Sequence, residues 1–183
     1  MAKPRYRLYL AVSIDGYIAD EQGGVKFLEA YDASALGYDG FIKGISLMIQ
    51  GSATYEKCLE FDEWPYHGIP NIVLTKRQLP VPAGAKVRFF GGEPEDLLDE
   101  LSHHDGDVWI VGGGRMIASL INAGMRPSLE LAIIPQLLGR GVRLFNEHQW
   151  RACLRLAQAK SHANGVVTLR YEPTAEDELR AVG

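Results

Sequence analysis

The sequence predicts an α/β layered fold, with a largely parallel sheet flanked by helices and closed by a C-terminal antiparallel hairpin. Three observations predict it. Short apolar runs of strand length alternate with longer helical stretches. Glycines or capping residues mark most of the junctions between them. The dipeptide Asn164-Gly165, between two late strand-like runs, is a hairpin signal.

Residues 6–13 are rich in Leu, Tyr and Val and suit a first strand. Gly16, Gly23 and Gly24 mark a loop after it. Ser34 can cap a helix over residues 35–43, which Gly44 would close. Residues 45–50 form a short apolar run consistent with a buried strand, and residues 51–56 open a second helix. Two prolines and a glycine make 61–70 a loop. Strands are expected at 72–75 and 87–90, separated by a turn-rich connection holding Pro80, Pro82 and Gly84.

Pro94 suits the first turn of a third helix, and the acidic residues after it suit the positive end of the dipole there. That helix is expected to reach about Ser102, where His103 and His104 suit its negative end. Residues 107–111 read as a strand broken by Gly112, Gly113 and Gly114. A helix over 115–123 follows, ended by Gly124. Residues 129–134 form another strand, and 152–159 with 166–171 form the closing hairpin. One domain is expected over residues 1–172, with a polar, frayed tail over 173–183.

Composition narrows the function. The chain has 183 residues, with 46% hydrophobic and 23% charged, enough apolar material for a core and unlike a disordered chain. Its net charge of −4 gives no basic footprint for nucleic acid. Cys58 and Cys153 are too few for a disulfide framework or a Cys-based zinc site, and reduced core thiols are expected. No His, Cys or carboxylate spacing suits a metal. The longest apolar stretches, such as 129–138, contain charge or proline and are too short to span a membrane. The first residues lack the apolar core and cleavage site of a signal peptide, so a cytoplasmic protein is expected.

The chemistry concentrates at strand-to-helix junctions. Glycines at 112, 113 and 114 let a ligand approach the backbone, and free N–H groups at the following helix start bind phosphate oxygens. A tight turn is the plainer reading. The Rossmann spacing is incomplete, because Ile117 occupies the third glycine position. Neither a P-loop nor a G-x-S-x-G elbow occurs. Gly51, Ser52, Ala53 and Thr54 form a second junction, where Thr54 either meets a phosphate or caps the helix. Two junctions together suit a pyrophosphate held between two helix starts beyond the carboxyl ends of the strands. Thr75, Lys76 and Arg77 could hold a ribose phosphate, or form a solvated charged turn. Asp15 could orient a substrate or bond backbone in the turn before Gly16.

Four stretches, in order, resemble the dihydrofolate reductase superfamily, and within it the reductase domain of the bifunctional riboflavin-biosynthesis deaminase-reductase and its stand-alone relatives. They are residues 13–19 (Ser-Ile-Asp-Gly-Tyr-Ile-Ala), 51–56 (Gly-Ser-Ala-Thr-Tyr-Glu), 111–115 (Val-Gly-Gly-Gly-Arg) and 135–145 (Pro-Gln-Leu-Leu-Gly-Arg-Gly-Val-Arg-Leu-Phe). The resemblance runs from about Tyr6 to Tyr171. It implies a doubly wound mixed sheet and NADPH as cofactor, with NADH as the alternate.

By the same resemblance, Ala11, Ile18 and Ala19 would line the nicotinamide. Gly51, Ser52, Ala53 and Thr54 would meet the pyrophosphate and adenosine phosphate. Thr75, Lys76 and Arg77 would lie near the adenosine. Gly112, Gly113, Gly114 and Arg115, with Met116 and Ile117, would wrap the pyrophosphate. Asp15 and Asp39 are the candidate catalytic acids, and Ser13, Asp15 and Gly139 the candidate substrate contacts.

Ser52 stands where the family commonly has an Arg able to grip the 2′-phosphate, so Lys76 or Arg77 would have to compensate. No acid matches the folate-binding position, neither Asp32 nor Asp39, which disfavours folate. The implied function is hydride transfer to a pterin- or pyrimidine-like substrate, with 5-amino-6-(5-phosphoribosylamino)uracil in the riboflavin version. Only the reductase half is expected here, as a homodimer. Another small substrate, a nucleotide-binding module without catalysis, and a purely structural domain are the rival readings.

Overall fold

The computed structural model describes residues 4–145 and 153–174. In chain order the strands are β1 (Arg5–Ser13), β2 (Tyr17–Ala19), β3 (Ile45–Gly51), β4 (Asn71–Leu74), β5 (Val87–Phe90), β6 (Asp107–Gly112), β7 (Ser128–Ile134), β8 (Val142–Arg143), β9 (Leu154–Ser161) and β10 (Val167–Pro173). The helices are α1 (Tyr38–Ile42), α2 (Ser52–Cys58), α3 (Pro94–Glu100) and α4 (Gly114–Asn122).

Eight strands form one sheet in the order β5-β4-β3-β6-β1-β7-β10-β9. The run from β5 to β7 is parallel. The β9–β10 hairpin then adds two antiparallel strands beside β7. The expected mixed, mostly parallel sheet with a closing hairpin is therefore the observed one. Among the described residues no helix is long and apolar enough to cross a membrane.

Each central strand is apolar on both faces, as a parallel strand covered on both sides must be. Leu8, Leu47, Ile49, Val108 and Ile110 meet Leu97 of α3 and Met116, Ile117, Leu120 and Ile121 of α4. Met48, Trp109 and Val111 face the other way, against Phe41 of α1. Val73 packs there against Tyr55 and Cys58 of α2 and Trp64 of the following loop. Both cysteines are free thiols.

Caps explain two helix ends. Pro94 opens α3, and Glu93 and Asp96 form a reciprocal capping box around it. The expected reach to Ser102 holds only as a tighter 3₁₀ turn over Leu101–His103. Gly124, at φ 105°, ends α4. Its N–H donates to Ile121 and that of Met125 to Leu120, a Schellman closure that satisfies two orphan carbonyls.

Three expectations need correction. The single helix over 35–43 is two pieces, a 3₁₀ turn (Ser34–Leu36) and α1, because Gly37 takes the left-handed φ of 98° between them. Residues 17–19 are not simply loop. Tyr17 and Ala19 pair with Arg143 and Val142, so β2 and β8 form a second, two-stranded sheet. Pro173, expected to open the tail, belongs to the last strand instead. Pro173 ends β10, and the Thr174 hydroxyl donates to the Cys153 carbonyl. Residues 175–183 lie outside the described residues, as does Ala152 at the start of the strand expected over 152–159.

The floor of the sheet carries a paired charge. Asp107 opens β6 and is buried. It accepts from Arg5 at 2.7 and 2.8 Å and from Arg7 at 2.9 Å. Burial alone would raise its pKa, but the hydrogen bonds from the two arginines outweigh that and lower it. A lowered carboxyl contributes stability above its ordinary value of 3.8 and loses it as pH falls through the folded value. Asp107→Asn is expected to cost about 2 kcal/mol, because Arg5 loses its anion and Arg7 keeps only Glu130. Denaturant unfolding at pH 7 checks this, and the gap to the parent should narrow towards pH 3.

Candidate functional site

β3 and β6 are neighbours, so their carboxyl ends, and the helices that follow them, lie side by side. α2 starts from Gly51 at the end of β3, and α4 starts from Gly113 just beyond β6. A cleft of about 930 Å³ opens over both starts. Its lining includes Gly51, Ser52, Ala53, Thr54, Gly113, Gly114, Arg115 and Met116, with Leu74 at the end of β4. This is the crevice outside the carboxyl ends of the strands where ligands of open α/β sheets bind.

The glycines are what make the cleft. Gly112 sits at φ 130°, and the Gly112–Gly113 peptide is cis. A Cβ on Gly51 would stand 3.4 Å from the Met116 Cβ, so that glycine lets the two helix starts pack closely. A Cβ on Gly113 would stand 3.6 Å from Thr54 Oγ1, in the gap between them. The first N–H groups of a helix have no partner within it. At α4 those groups belong to cleft-lining residues, which suits an anion.

The opposite wall comes from the small sheet. Tyr17, Glu21, Arg140, Gly141, Val142 and Arg143 complete the lining. The Arg143 guanidinium lies 5.1 Å over the Tyr17 ring, and Arg140 is 4.0 Å from Glu21. Arg115, Arg140 and Arg143 thus concentrate positive charge in a chain of net charge −4. Arg140, Arg143 and Tyr17 were not among the residues expected to bind. Their stretches, 13–19 and 135–145, carry the family resemblance, but only the β2–β8 pairing turns them towards the glycine junctions.

Other expected residues have defined places outside the lining. Ile117 is fully buried in the core, and its N–H is already bonded to the Gly113 carbonyl, so it is not a cleft residue. A helical side chain one step beyond Met116 points roughly 100° away, which is why it faces the sheet. Ala11 packs with Ala132, Ile134 and Val166, and Ile18 packs on the main core. Ala19 is buried in β2 beside the cleft wall. Thr75, Lys76 and Arg77 follow Leu74. The Thr75 hydroxyl accepts the Arg77 N–H, and Arg77 is paired with Glu56.

Asp15 holds a distant loop. Its carboxylate accepts from Ser13 Oγ at 2.6 Å, from the Leu138 N–H at 3.1 Å and from the Gly139 N–H at 2.7 Å. The Ser13 hydrogen bond, then those of Gly139 and Leu138, lowers its pKa. Ser13 is itself buried and accepts the Tyr17 N–H, while the Gly139 carbonyl accepts from the Tyr17 hydroxyl. Ser13, Asp15 and Gly139 are therefore brought together, as a clamp on the loop leading into Arg140. Asp15→Ala is expected to speed amide exchange at Leu138 and Gly139 by about tenfold, since both N–H groups lose their acceptor. Exchange measured by NMR checks this. Asp39 lies elsewhere, exposed in the first turn of α1 and accepting from Ser34 Oγ at 3.2 Å.

A smaller groove of about 330 Å³ lies between residues 34–37 and the β7–β10–β9 end of the sheet. It contains none of the residues expected for a cofactor.

Comparison with known proteins agrees with this architecture. Residues 64–168 match the RibD C-terminal domain family. The uncharacterized protein YwjB of Bacillus subtilis is 28% identical over 162 residues, covering 87% of this chain and 92% of its own length. A crystal structure of a putative riboflavin biosynthesis protein from Shewanella sp. PV-4 superposes with a TM-score of 0.81 at 25% identity, over 93% of this chain and 99% of that one. Dihydrofolate reductase from Enterococcus faecalis, complexed with NADP(H) and RAB-propyl, superposes with a TM-score of 0.67 at 18% identity, over 93% and 97%. That last likeness shows a shared fold.

Proposed function

The chain belongs to the RibD C-terminal domain family, and from that premise we propose that it is a reductase using NADPH, with NADH as the alternate. Its reaction is hydride transfer to an electrophilic carbon of a pyrimidine- or pterin-like substrate. The first compound to test is 5-amino-6-(5-phosphoribosylamino)uracil, after the riboflavin proteins it resembles. The single observation that carries this reading is the cleft itself. Two adjacent helix starts, a glycine turn without side chains and three arginines line one crevice.

Bound there, the dihydronicotinamide would supply the hydride, and the partner atom of the reduced carbon would take one proton from water. The chain's own residues hold and orient. The α4 N–H groups and Arg115 receive the pyrophosphate. Arg140 and Arg143 face it from the β2–β8 wall. Ala11, Ile18 and Ala19 stand outside the cleft lining, behind its β1–β2 end, and would back the nicotinamide from there. Residues 1–172 form the catalytic domain, and the active form is a cytoplasmic homodimer.

A second reading, nucleotide binding without catalysis, has one observation in its favour. Both candidate acids, Asp15 and Asp39, already have protein partners. Calorimetric titration with NADPH and NADH, followed by single-turnover oxidation with the pyrimidine substrate and a panel of pterins and small carbonyl compounds, separates these readings. Saturable binding with oxidation supports the reductase. Binding without oxidation of any panel member supports the second reading. Binding of neither cofactor sinks both.

A further inference from the structure

The cleft has two ends, set by the strand order. Tyr17 and Arg143 close the end beside β1, and Ser52, Ala53 and Leu74 close the end over β3 and β4. A pyrophosphate over the β3–β6 junction leaves one nucleoside at each end. Just outside the lining, beyond Ser52 and Leu74 at the β4 end, stands the ion pair of Glu56 and Arg77. Glu56 lies one helical turn beyond Ser52, on the same face of α2. Arg77 lies three residues beyond Leu74, its backbone anchored on the Thr75 hydroxyl.

Arg77 grips Glu56 with both ends of its guanidinium, Nη1 to Oε1 at 3.0 Å and Nη2 to Oε2 at 2.8 Å. The two side chains remain 56% and 43% exposed, so a ligand can reach either one. They are chemically opposed as ribose readers. A guanidinium at this end takes a 2′-phosphate, whereas a carboxylate takes the free hydroxyl.

Resting on the dinucleotide reading above, we infer that Glu56 is the residue that sets the choice between NADH and NADPH. It does so by holding Arg77 in the fork. While Glu56 is present, a 2′-phosphate only exchanges with one anion already on Arg77, and it meets the negative charge of Glu56 as well. The gain from Arg77 is therefore reduced, and NADPH keeps a smaller lead over NADH than the unpaired fork would give it. Arg115, Arg140 and Arg143 do not discriminate, because they serve the pyrophosphate that both cofactors share. Without Glu56, the whole fork becomes available to the phosphate.

The test is calorimetric titration of NADPH and NADH into the parent chain, Glu56→Gln, Arg77→Gln and the double variant, at one ionic strength. Circular dichroism confirms that each is folded. Glu56→Gln is expected to move the NADPH-to-NADH affinity ratio towards NADPH by about tenfold. The double variant is expected to return it to within about twofold of Arg77→Gln alone. A Glu56→Gln ratio within twofold of the parent's overturns the inference. A shift that survives in the double variant also overturns it, and Lys76→Gln added to that double then tests the neighbouring cation. If the parent binds neither cofactor, the dinucleotide reading fails, and this inference fails with it. Binding of both cofactors with no shift sinks this inference alone.

Discussion

Gly113→Ala is expected to weaken NADPH binding about a hundredfold while leaving the chain folded. The reason is where the new methyl stands. Gly113 has an ordinary extended conformation, φ −83° and ψ 179°, which alanine also adopts. Its Cβ would meet only Thr54 Oγ1, at 3.6 Å, an ordinary contact. The protein itself therefore loses little, within the modest cost of alanine for glycine at a helix N-cap. The methyl fills the gap between the starts of α2 and α4, where the pyrophosphate is proposed to approach the backbone. Displacing a phosphate by about 1 Å from several N–H groups loses most of those charge-assisted hydrogen bonds. Thermal unfolding and calorimetric titration on the same sample check both halves. Unchanged affinity in a folded variant would move the phosphate away from this junction.

Gly141→Ala is expected to act in the opposite order, on stability first. Gly141 has φ 146°, and a Cβ there would collide with the Ala19 carbonyl oxygen, which is backbone and cannot swing aside. Its neighbour Val142 is paired with Ala19, so relief of the collision must separate β2 from β8. The expected cost is about 3 kcal/mol, near the top of the range for strained backbone positions. For a chain of this size that lowers Tm by about 10 °C. Cofactor affinity should fall with it, because Tyr17, Val142 and Arg143 form one wall of the cleft. Gly139→Ala is the control. Its φ of 73° also disfavours alanine, but a Cβ there meets nothing within 4 Å. It should cost about 1–2 kcal/mol. Equal losses at 139 and 141 would count against the collision.

Much of this was legible beforehand because it is local. Asn164 and Gly165 turn the hairpin, with Gly165 at φ 83° and the Asn164 side chain accepting the Val166 N–H. Pro94 and Gly124 bound their helices through cap geometry that a few neighbouring residues set. The glycines at 51, 113 and 114 pointed to the cleft because close backbone approach needs no other partner. The break at Gly37 was not legible. A capping serine followed by a helical stretch suits one helix as well as two, and the packing of Leu36 and Phe41 in separate clusters selects the second.

By itself the sequence determined the sheet's strands, its closing hairpin and the pair of glycine junctions, since each depends on backbone preferences and short-range periodicity. Only the tertiary structure decided what faces those junctions. Asp15 reads as a turn residue or a substrate contact until Leu138 and Gly139 are seen to donate to it. Arg143 reads as a surface charge until β8 pairs with β2. Arg77 reads as a free cation until Glu56, 21 residues away, is found in its grip. Each depends on a contact between segments far apart in the chain, and local propensity carries no information about which distant partner a side chain will meet.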